Sequence, residues 1–420
     1  MCRLNFVDQI TCREEVPKTY RHGTNRYCSP LTTIERLTPF LSAMGITRIG
    51  NVTGLDHIGI PVVTVCRPNS RSLSVSQGKG LDLLDAKVSG VMEGIELFHA
   101  EHIEQPFLFE TYANLRRRAR TADVKGLPAA TRSRFHPNRR LSWMQGYDLL
   151  NCEPVWVPYE LVDADFRLPR PKDGGCFLHT TNGLAAGNHF LETEIHGICE
   201  VIEEDSGTLH DLLNLEQRNK KRVRLETVDD PDCRRVLQAF QDAGIYVAVE
   251  DTTTDVGVPS FICGILPESD DPFRQLYGYA GYGCHPSRNI ALLRALLEAA
   301  QSRLTVIAGT RDDGPRSWYE QQHRLRRKFS SFRAQLRRTV PAVDFQEVPT
   351  FDGRTLNEDL DWLLERLRET GIRQVIAVDL SKPEFGIPVV RMVIPFLEGL
   401  NEPPKCTPGP RALARLAGRL

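Results

Sequence analysis

Two stretches of the chain carry paired carboxylates at one spacing inside one apolar frame. Ser89-Gly90-Val91-Met92-Glu93-Gly94-Ile95-Glu96 returns as His196-Gly197-Ile198-Cys199-Glu200-Val201-Ile202-Glu203. A third stretch, Arg294 through Glu298 to Gln301, keeps the spacing with a cation first and an amide last. On a helix, positions i, i+4 and i+7 share one face. Taken singly, a Glu-x-x-Glu pair reads as a solvated helix surface; its return in the same apolar frame argues that the faces meet. Four carboxylates would then crowd a small volume, each close pair repelling by roughly 4 kcal/mol at about 4 Å in an effective dielectric of about 20. A cation is required. All-oxygen ligands favour Mg2+, a hard ion that joins a few carboxylates to the phosphates of a nucleotide. Arg294, with Gln301 and Arg303 a turn or more beyond, offers groups suited to phosphate oxygens. Lys79 stands between Gly78 and Gly80, and such glycines let backbone amides approach an anion near a helix N-terminus.

These side chains need three helices and the turns that aim them. Gly80 stands nine residues before Ser89, Gly187 nine before His196, and His285, just after Gly281 and Gly283, nine before Arg294. Helices are predicted over about 82–102 and 287–303, the second leading into a strand-like run, Leu304 to Gly309. Another device also occurs three times: an acid, then Gly-Ile/Val-Pro, then a β-branched run. Its copies are Asp56 with Gly59-Ile60-Pro61, Asp255 with Gly257-Val258-Pro259, and Asp379 with Gly386-Ile387-Pro388. Proline cannot donate to a ladder, so each copy is expected at a strand start. Repeats about a hundred residues apart indicate internal duplication within one domain, since solenoid repeats are shorter and more regular. Elsewhere the pattern predicts a Thr-capped helix from about Leu31 containing or interrupted by Pro39. Strands are predicted at 155–158, 176–181, 245–250, 374–380 and 388–394, and helices at 231–243, 318–338 and 357–369. The basic segments 116–140 and 324–338 read as solvated surface or as docking sites for an acidic peptide.

A chain of 420 residues can bury a large core, as two to three domains or one large subdivided domain. Its net charge of −1 gives no global attraction to nucleic acid or membrane. The eleven cysteines are scattered without CxxC spacing, which suits reduced thiols and excludes a CxxC zinc or redox motif. The N-terminus is charged and no apolar run approaches membrane-spanning length, so a soluble, cytoplasmic protein is expected. No GxxxxGK[ST] loop occurs, so a nucleotide site here is not a P-loop. Glu96-Leu97-Phe98-His99 raises a di-iron alternative, which needs a second Glu-x-x-His; the second helix offers Glu204 and Asp205 but no matching histidine.

Taken together, Gly78-Lys79-Gly80, the two acidic repeats, Asn182-Gly183-Leu184-Ala185-Ala186-Gly187, Arg294-x3-Glu298-x2-Gln301-x-Arg303 and Ala308-Gly309-Thr310-Arg311-Asp312-Asp313 resemble the YcaO family of ATP-dependent enzymes that modify peptide backbones, over about Arg21 to Gly399. The resemblance implies a mixed α/β YcaO fold, with internally duplicated strand and helix units around a central nucleotide site, usually as a homodimer. It implies an N-terminal segment, 1–65, contributing to the core, a catalytic domain, 66–400, and a proline-containing tail, 401–420. Carried over position by position, Glu93, Glu96, Glu200 and Glu203 hold Mg2+, and Ser89, His196, Arg294 and Gln301 contact ATP; Lys79, Arg26, Arg303 and Arg311 are phosphate contacts.

The implied reaction phosphorylates a peptide amide oxygen, after which a nucleophile adds and the oxygen leaves as phosphate. Such chemistry is mostly positioning and charge stabilisation. Two departures from the family pattern are informative. Leu97 stands where many members have arginine, and the tail, Pro403-Pro404-Lys405-Cys406-Thr407-Pro408-Gly409-Pro410 and onward, lacks the terminal alternating prolines of azoline-forming members. No fused leader-peptide-binding domain is expected at the N-terminus. The resemblance therefore leans to members that work with a TfuA-like partner and a sulfur donor to make thioamides in a precursor peptide or protein. An azoline-forming cyclodehydratase, and a non-catalytic ATP-binding accessory protein that docks a precursor peptide, are the alternatives.

Overall fold

The computed structural model describes residues 14–169, 173–268, 278–312, 339–399 and 407–420. The first elements are α1 (Pro30–Leu37), capped by the Ser29 hydroxyl accepting from the Thr32 amide, and a three-stranded antiparallel sheet, β1 (Arg48–Asn51), β2 (Val62–Cys66) and β3 (Val75–Lys79). Helix α2 (Leu83–Glu101) follows, then β4 (Phe107–Thr111), β5 (Arg140–Asp148), β6 (Glu153–Pro158), the short β7 (Leu184–Ala186) and α3 (Phe190–Asp211). Next come β8 (Val223–Arg224), α4 (Pro231–Asp242), a second antiparallel sheet of β9 (Ile245–Asp251), β10 (Ser260–Pro267) and β11 (Tyr279–Cys284), and α5 (Arg288–Ala308). After β12 (Val343–Asp344), parallel to β8, the chain forms α6 (Leu356–Glu369), β13 (Ile376–Asp379), β14 (Val389–Val393) and α7 (Pro410–Leu416). Among the described residues no helix is long and apolar enough to cross a membrane.

The three acidic-pattern helices sit on equivalent sheets, one of which is assembled out of sequence. β14 pairs antiparallel with β13 on one side and β7 on the other, so β13-β14-β7 matches β1-β2-β3 and β9-β10-β11. The middle copy takes its helix and last strand from mid-chain and its first two strands from near residue 390. In each copy the acid–glycine–proline device makes the turn into the central strand. Gly59, Gly257 and Gly386 all adopt positive φ (+80°, +74° and +64°), a region that side chains resist, and Pro61, Pro259 and Pro388 each lie one residue before the described strand. Helices seat directly on their strands because small residues face each other. A Cβ on Gly78 would lie 2.0 Å from the Ala86 carbonyl oxygen, and one on Gly283 2.1 Å from that of Ala291.

β13-β14-β7 continues through β5 to β4, with β6 also on β5, and this six-stranded sheet is covered on both faces. Ile376 and Val378 enter a core with Val91 and Ile95 of α2, whereas Ala377 enters one with Ile198 of α3 and Leu363 of α6. That alternation is the period-two rule of a strand. A third core gathers Leu292 and Leu296 of α5 with Phe240 and Phe261. Each fully buried valine, isoleucine or leucine contributes roughly 1.5–3 kcal/mol. Leu37, Met44, Ile46 and Val63 are buried in the first core.

Three sequence expectations need correction, the first being the cap of α1, which is Ser29 and not a threonine. α5 does not end at 303 to start a strand: it runs to Ala308 and stops at Gly309 in the left-handed conformation (φ +58°). Leu304 and Val306 are buried on it, and a helical face outweighs the β-branched character of Thr305-Val306-Ile307. Residues 176–181 form no strand but a single bridge, Phe177 to Ala129. α1 ends at Leu37, and Pro39 falls in a single 3-10 turn. The basic segment 324–338 lies outside the described residues.

Candidate nucleotide and metal site

The acidic faces converge through a cyclic set of hydrogen bonds. At the first acidic position Glu93 accepts from the Gln77 amide of its own unit at 3.1 Å, and Glu298 likewise from Tyr282 at 3.1 Å. At the second position each helix reaches the last strand of the next unit. Glu96 of α2 accepts from the Ala186 amide of β7 at 2.8 Å, and Glu203 of α3 accepts from the Cys284 amide of β11. Gln301 of α5 donates to the Gln77 carbonyl of β3 at 3.3 Å, which closes the ring. The polar residues of the repeat therefore hold the three units together and define one shared interior.

Several predicted residues meet there. Lys79 Nζ lies 2.7 Å from Glu298 Oε2, and Arg294 Nη1 is 3.4 Å from His196 Nδ1. Ser89 Oγ accepts from the Lys79 amide at 3.4 Å. Arg26 is 3.9 Å from Glu192, and its charge is felt at both Glu96 and His196; that of Arg311 is felt at Glu93. Arg303 does not fit the phosphate role. It is 1% exposed and holds Asp56 through Nε (2.6 Å) and Nη2 (3.1 Å), so its guanidinium ties α5 to the turn before β2. His99, from the di-iron alternative, lies in the core: its ring bonds the Ile95 carbonyl at 2.8 Å, and burial lowers its pKa to about 4.

The electrostatics are those of a cluster short of positive charge. Burial raises Glu200 to about 8, with Glu203 and Glu204 adding to it, and raises Glu203 to about 7, reinforced by Glu298. Glu96 is driven well above the usual carboxylate range by burial and then by Glu200. Glu93 is raised by burial, against the pull of the Gln77 amide and Lys79. His196 is held well below its ordinary value by burial and by Arg294, and is neutral at pH 7. Burial opposes the Arg294 charge, but Glu203 and Glu298 outweigh it and its pKa is raised.

The donor set fits a metal joined to an anion. Buried Glu203 Oε2 and Gln301 Oε1 have no hydrogen-bond partner, nor do the donors Arg294 Nε and Gln77 Nε2. An unsatisfied buried polar atom costs about 1–3 kcal/mol. A lone anion would serve only the donors and a lone cation only the acceptors. Among the described residues no three His, Cys, Asp or Glu side chains form a metal cage. Mg2+ commonly binds through one or two carboxylates and completes its octahedron with phosphate oxygens and water.

Sequence reasoning missed three participants. Glu298 was legible within the third repeat but not as the partner of Lys79. Gln77 gave no signal. Arg391, a lone cation in the run Val389 to Val393, is 2% exposed, donates to the Thr180 carbonyl at 2.6 Å, and leaves Nε and Nη1 unpartnered. Burial lowers its pKa to about 10, against the opposing influence of Glu200.

Comparison with known proteins accords with this geometry. A family model described as YcaO cyclodehydratase, ATP- and Mg2+-binding, matches residues 77–398. An uncharacterized protein in the tfuA 3′ region of Rhizobium leguminosarum bv. trifolii is 34% identical over 392 residues, covering 89% of each chain. An uncharacterized protein of Methanothermobacter thermautotrophicus is 33% identical over 398 residues, covering 90% of this chain and 96% of that one. Among solved structures, a heterocyclase in complex with substrate and cofactor has a TM-score of 0.75 at 20% identity over 92% of this chain, which spans only 54% of that protein. YcaO from Methanopyrus kandleri, bound with AMPPCP and Mg2+, has a TM-score of 0.68 at 23% identity, covering 90% of this chain and 94% of that one. The triplicated fold and the extent of these matches lead to one assignment: the chain belongs to the YcaO family of ATP-dependent, Mg2+-binding enzymes.

Proposed function

We propose that the chain activates a peptide backbone amide by O-phosphorylation and, with an external sulfur donor, converts it to a thioamide. The observation that carries this is the closed ring of three helices, which gathers four glutamates, Lys79 and Arg294 around buried donors and acceptors that no protein group satisfies. In this reading Glu93, Glu96, Glu200 and Glu203 hold Mg2+. Ser89, His196, Arg294 and Gln301 contact the nucleotide, and Lys79, Arg26 and Arg311 face its phosphates. ATP supplies the phosphoryl group. The amide oxygen bonds to the terminal phosphorus as ADP departs, sulfide then adds to the amide carbon, and the C–O bond breaks to release phosphate and leave C=S. The protein needs no nucleophile of its own; fixed cations and a neutral His196 stabilise charge that builds on phosphate oxygens.

The tfuA-region setting of the Rhizobium relative supports the thioamide product and a TfuA-like partner. The substrate is a precursor peptide or protein, and the working form a homodimer. The test is incubation with Mg2+, ATP, sulfide and a peptide encoded beside this gene, read by mass spectrometry. Exchange of oxygen for sulfur supports the proposal. Loss of water identifies an azoline-forming cyclodehydratase, and ATP binding without hydrolysis identifies an accessory protein.

A further inference from the structure

The repeat extends past its acids to a position that the proposed chemistry does not use. Nine residues beyond Ser89, His196 and Arg294 stand Phe98, Asp205 and Arg303. On α2 and α5 this residue contacts the acid–glycine–proline turn of the next unit. Phe98 packs edge-on against Phe385, which lies between Asp379 and Gly386, with ring centroids 5.9 Å apart. Arg303 grips Asp56. The cyclic order is the one followed by Glu96, Glu203 and Gln301.

On α3 the link is charge-inverted. Asp205 is fully buried and faces the turn that carries Asp255, so two acids stand where the third copy has an ion pair. Arg411 of α7 fills the gap. Its Nε reaches the two Asp205 oxygens at 2.9 and 3.2 Å, and its Nη1 and Nη2 reach the Asp255 oxygens at 3.1 and 2.6 Å. Arg411 is itself placed by the start of α7, where Glu398 accepts from the Gly409 and Ala412 amides at 2.8 Å each. Asp205 has one further support, the Glu398 amide at 2.8 Å. Removing one partner of a buried charge pair leaves the other uncompensated, and here the acid left without its cation, Asp205, is two positions from Glu203 on the same helix.

We propose that Arg411 is a positioning residue of the site: it supplies from outside the repeat the cation that α5 carries in its own sequence, and so fixes α3 just beyond Glu200 and Glu203. α7 is thereby a working part of the ring, and a guanidinium is needed because only a planar fork can hold both acids at once. The effect on ligand binding rests on the proposed roles of Glu200 and Glu203; the effect on α3 does not.

The test compares wild type with Arg411→Ala, Arg411→Lys and the double variant Arg411→Ala/Asp205→Arg, in which an arginine at 205 reaches Asp255 as Arg303 reaches Asp56. Binding of Mg2+·AMPPCP is measured by calorimetry and α3 amide exchange by mass spectrometry. Arg411→Ala is expected to bind about tenfold more weakly, with faster exchange over residues 198–211 and slower-exchanging regions elsewhere unchanged. Lysine restores part of both losses, and the double variant restores most. If Asp205→Arg does not fold, Arg411→Ala/Asp205→Asn takes its place, since removing the buried charge removes the need for the cation. Unchanged α3 exchange in Arg411→Ala overturns the proposal, as does a folded compensating variant no better than the single one. Should wild type fail to bind Mg2+·AMPPCP, the metal-site reading falls, while the exchange data still decide whether Arg411 orders α3.

Discussion

Replacing Glu200 by glutamine should make the ligand-free protein more stable and the liganded protein less so. Glu200 titrates near pH 8 in the fold, chiefly through burial and then through Glu203, against about 4.3 for a free glutamate. Its folded-state pKa is raised, so the folded state binds its proton more tightly than the unfolded state does. Stability on this account falls as pH rises from about 4.5 toward 8, because ionisation is costless only in the unfolded chain. At pH 7 the difference is roughly 3 kcal/mol, an upper bound on what a neutral isostere recovers. Glu200→Gln should therefore melt a few degrees higher than wild type at pH 7.5 without ligand, with the gap closing near pH 5. With Mg2+·AMPPCP present the order should invert, since wild type gains binding free energy that the variant has lost. Differential scanning calorimetry at two pH values, with and without ligand, gives all four quantities. A variant less stable than wild type at pH 7.5 without ligand would refute the crowding argument, and an equal gain from ligand would refute a metal role for Glu200.

Arg303→Ala should act on the fold rather than on the nucleotide, because it strands the buried Asp56. A loss of about 3–5 kcal/mol is expected, seen as a large drop in melting temperature; a normal melt with weakened nucleotide binding would return Arg303 to the phosphate role. Gly78→Ala places a methyl within 2.1 Å of backbone atoms of α2. It should destabilise by about 1–3 kcal/mol or more, and an unchanged melting temperature would show that α2 does not seat on β3 as described. Arg391→Met removes the buried guanidinium near Glu200. If its unpartnered nitrogens serve a bound oxygen, nucleotide or peptide affinity should fall by about 2–3 kcal/mol with little loss of stability; a variant that only unfolds would mark Arg391 as structural.

Much of this arrangement was legible because it is repeated. The matching frames around Glu93 and Glu200, and the Arg294 variant of them, mark three helices in the sequence alone. The recurrence of Gly59, Gly257 and Gly386 before proline located three central strands, since only glycine is at ease at that turn. The sequence could not show that β7 pairs with β14, two hundred residues later, because register between distant strands leaves no local trace. Nor could it show which arginines were free. Arg303 and Arg294 sit on one helix, yet the first is held by Asp56 and the second faces Glu203; that choice is made by the neighbouring unit. The overlong α5 escaped because Thr305-Val306-Ile307 favours strand locally, and only the burial of Leu304 and Val306 extends the helix.

Amide activation itself is tested most directly by isotope transfer. A substrate peptide carrying heavy oxygen in the backbone amide is incubated with the protein, Mg2+, ATP and sulfide, and the released phosphate is analysed by mass spectrometry. Heavy oxygen in the phosphate, one atom per modified amide and absent with Glu93→Gln or Glu200→Gln, is the expected result. ATP turnover that leaves the label in the peptide would contradict O-phosphorylation at this site.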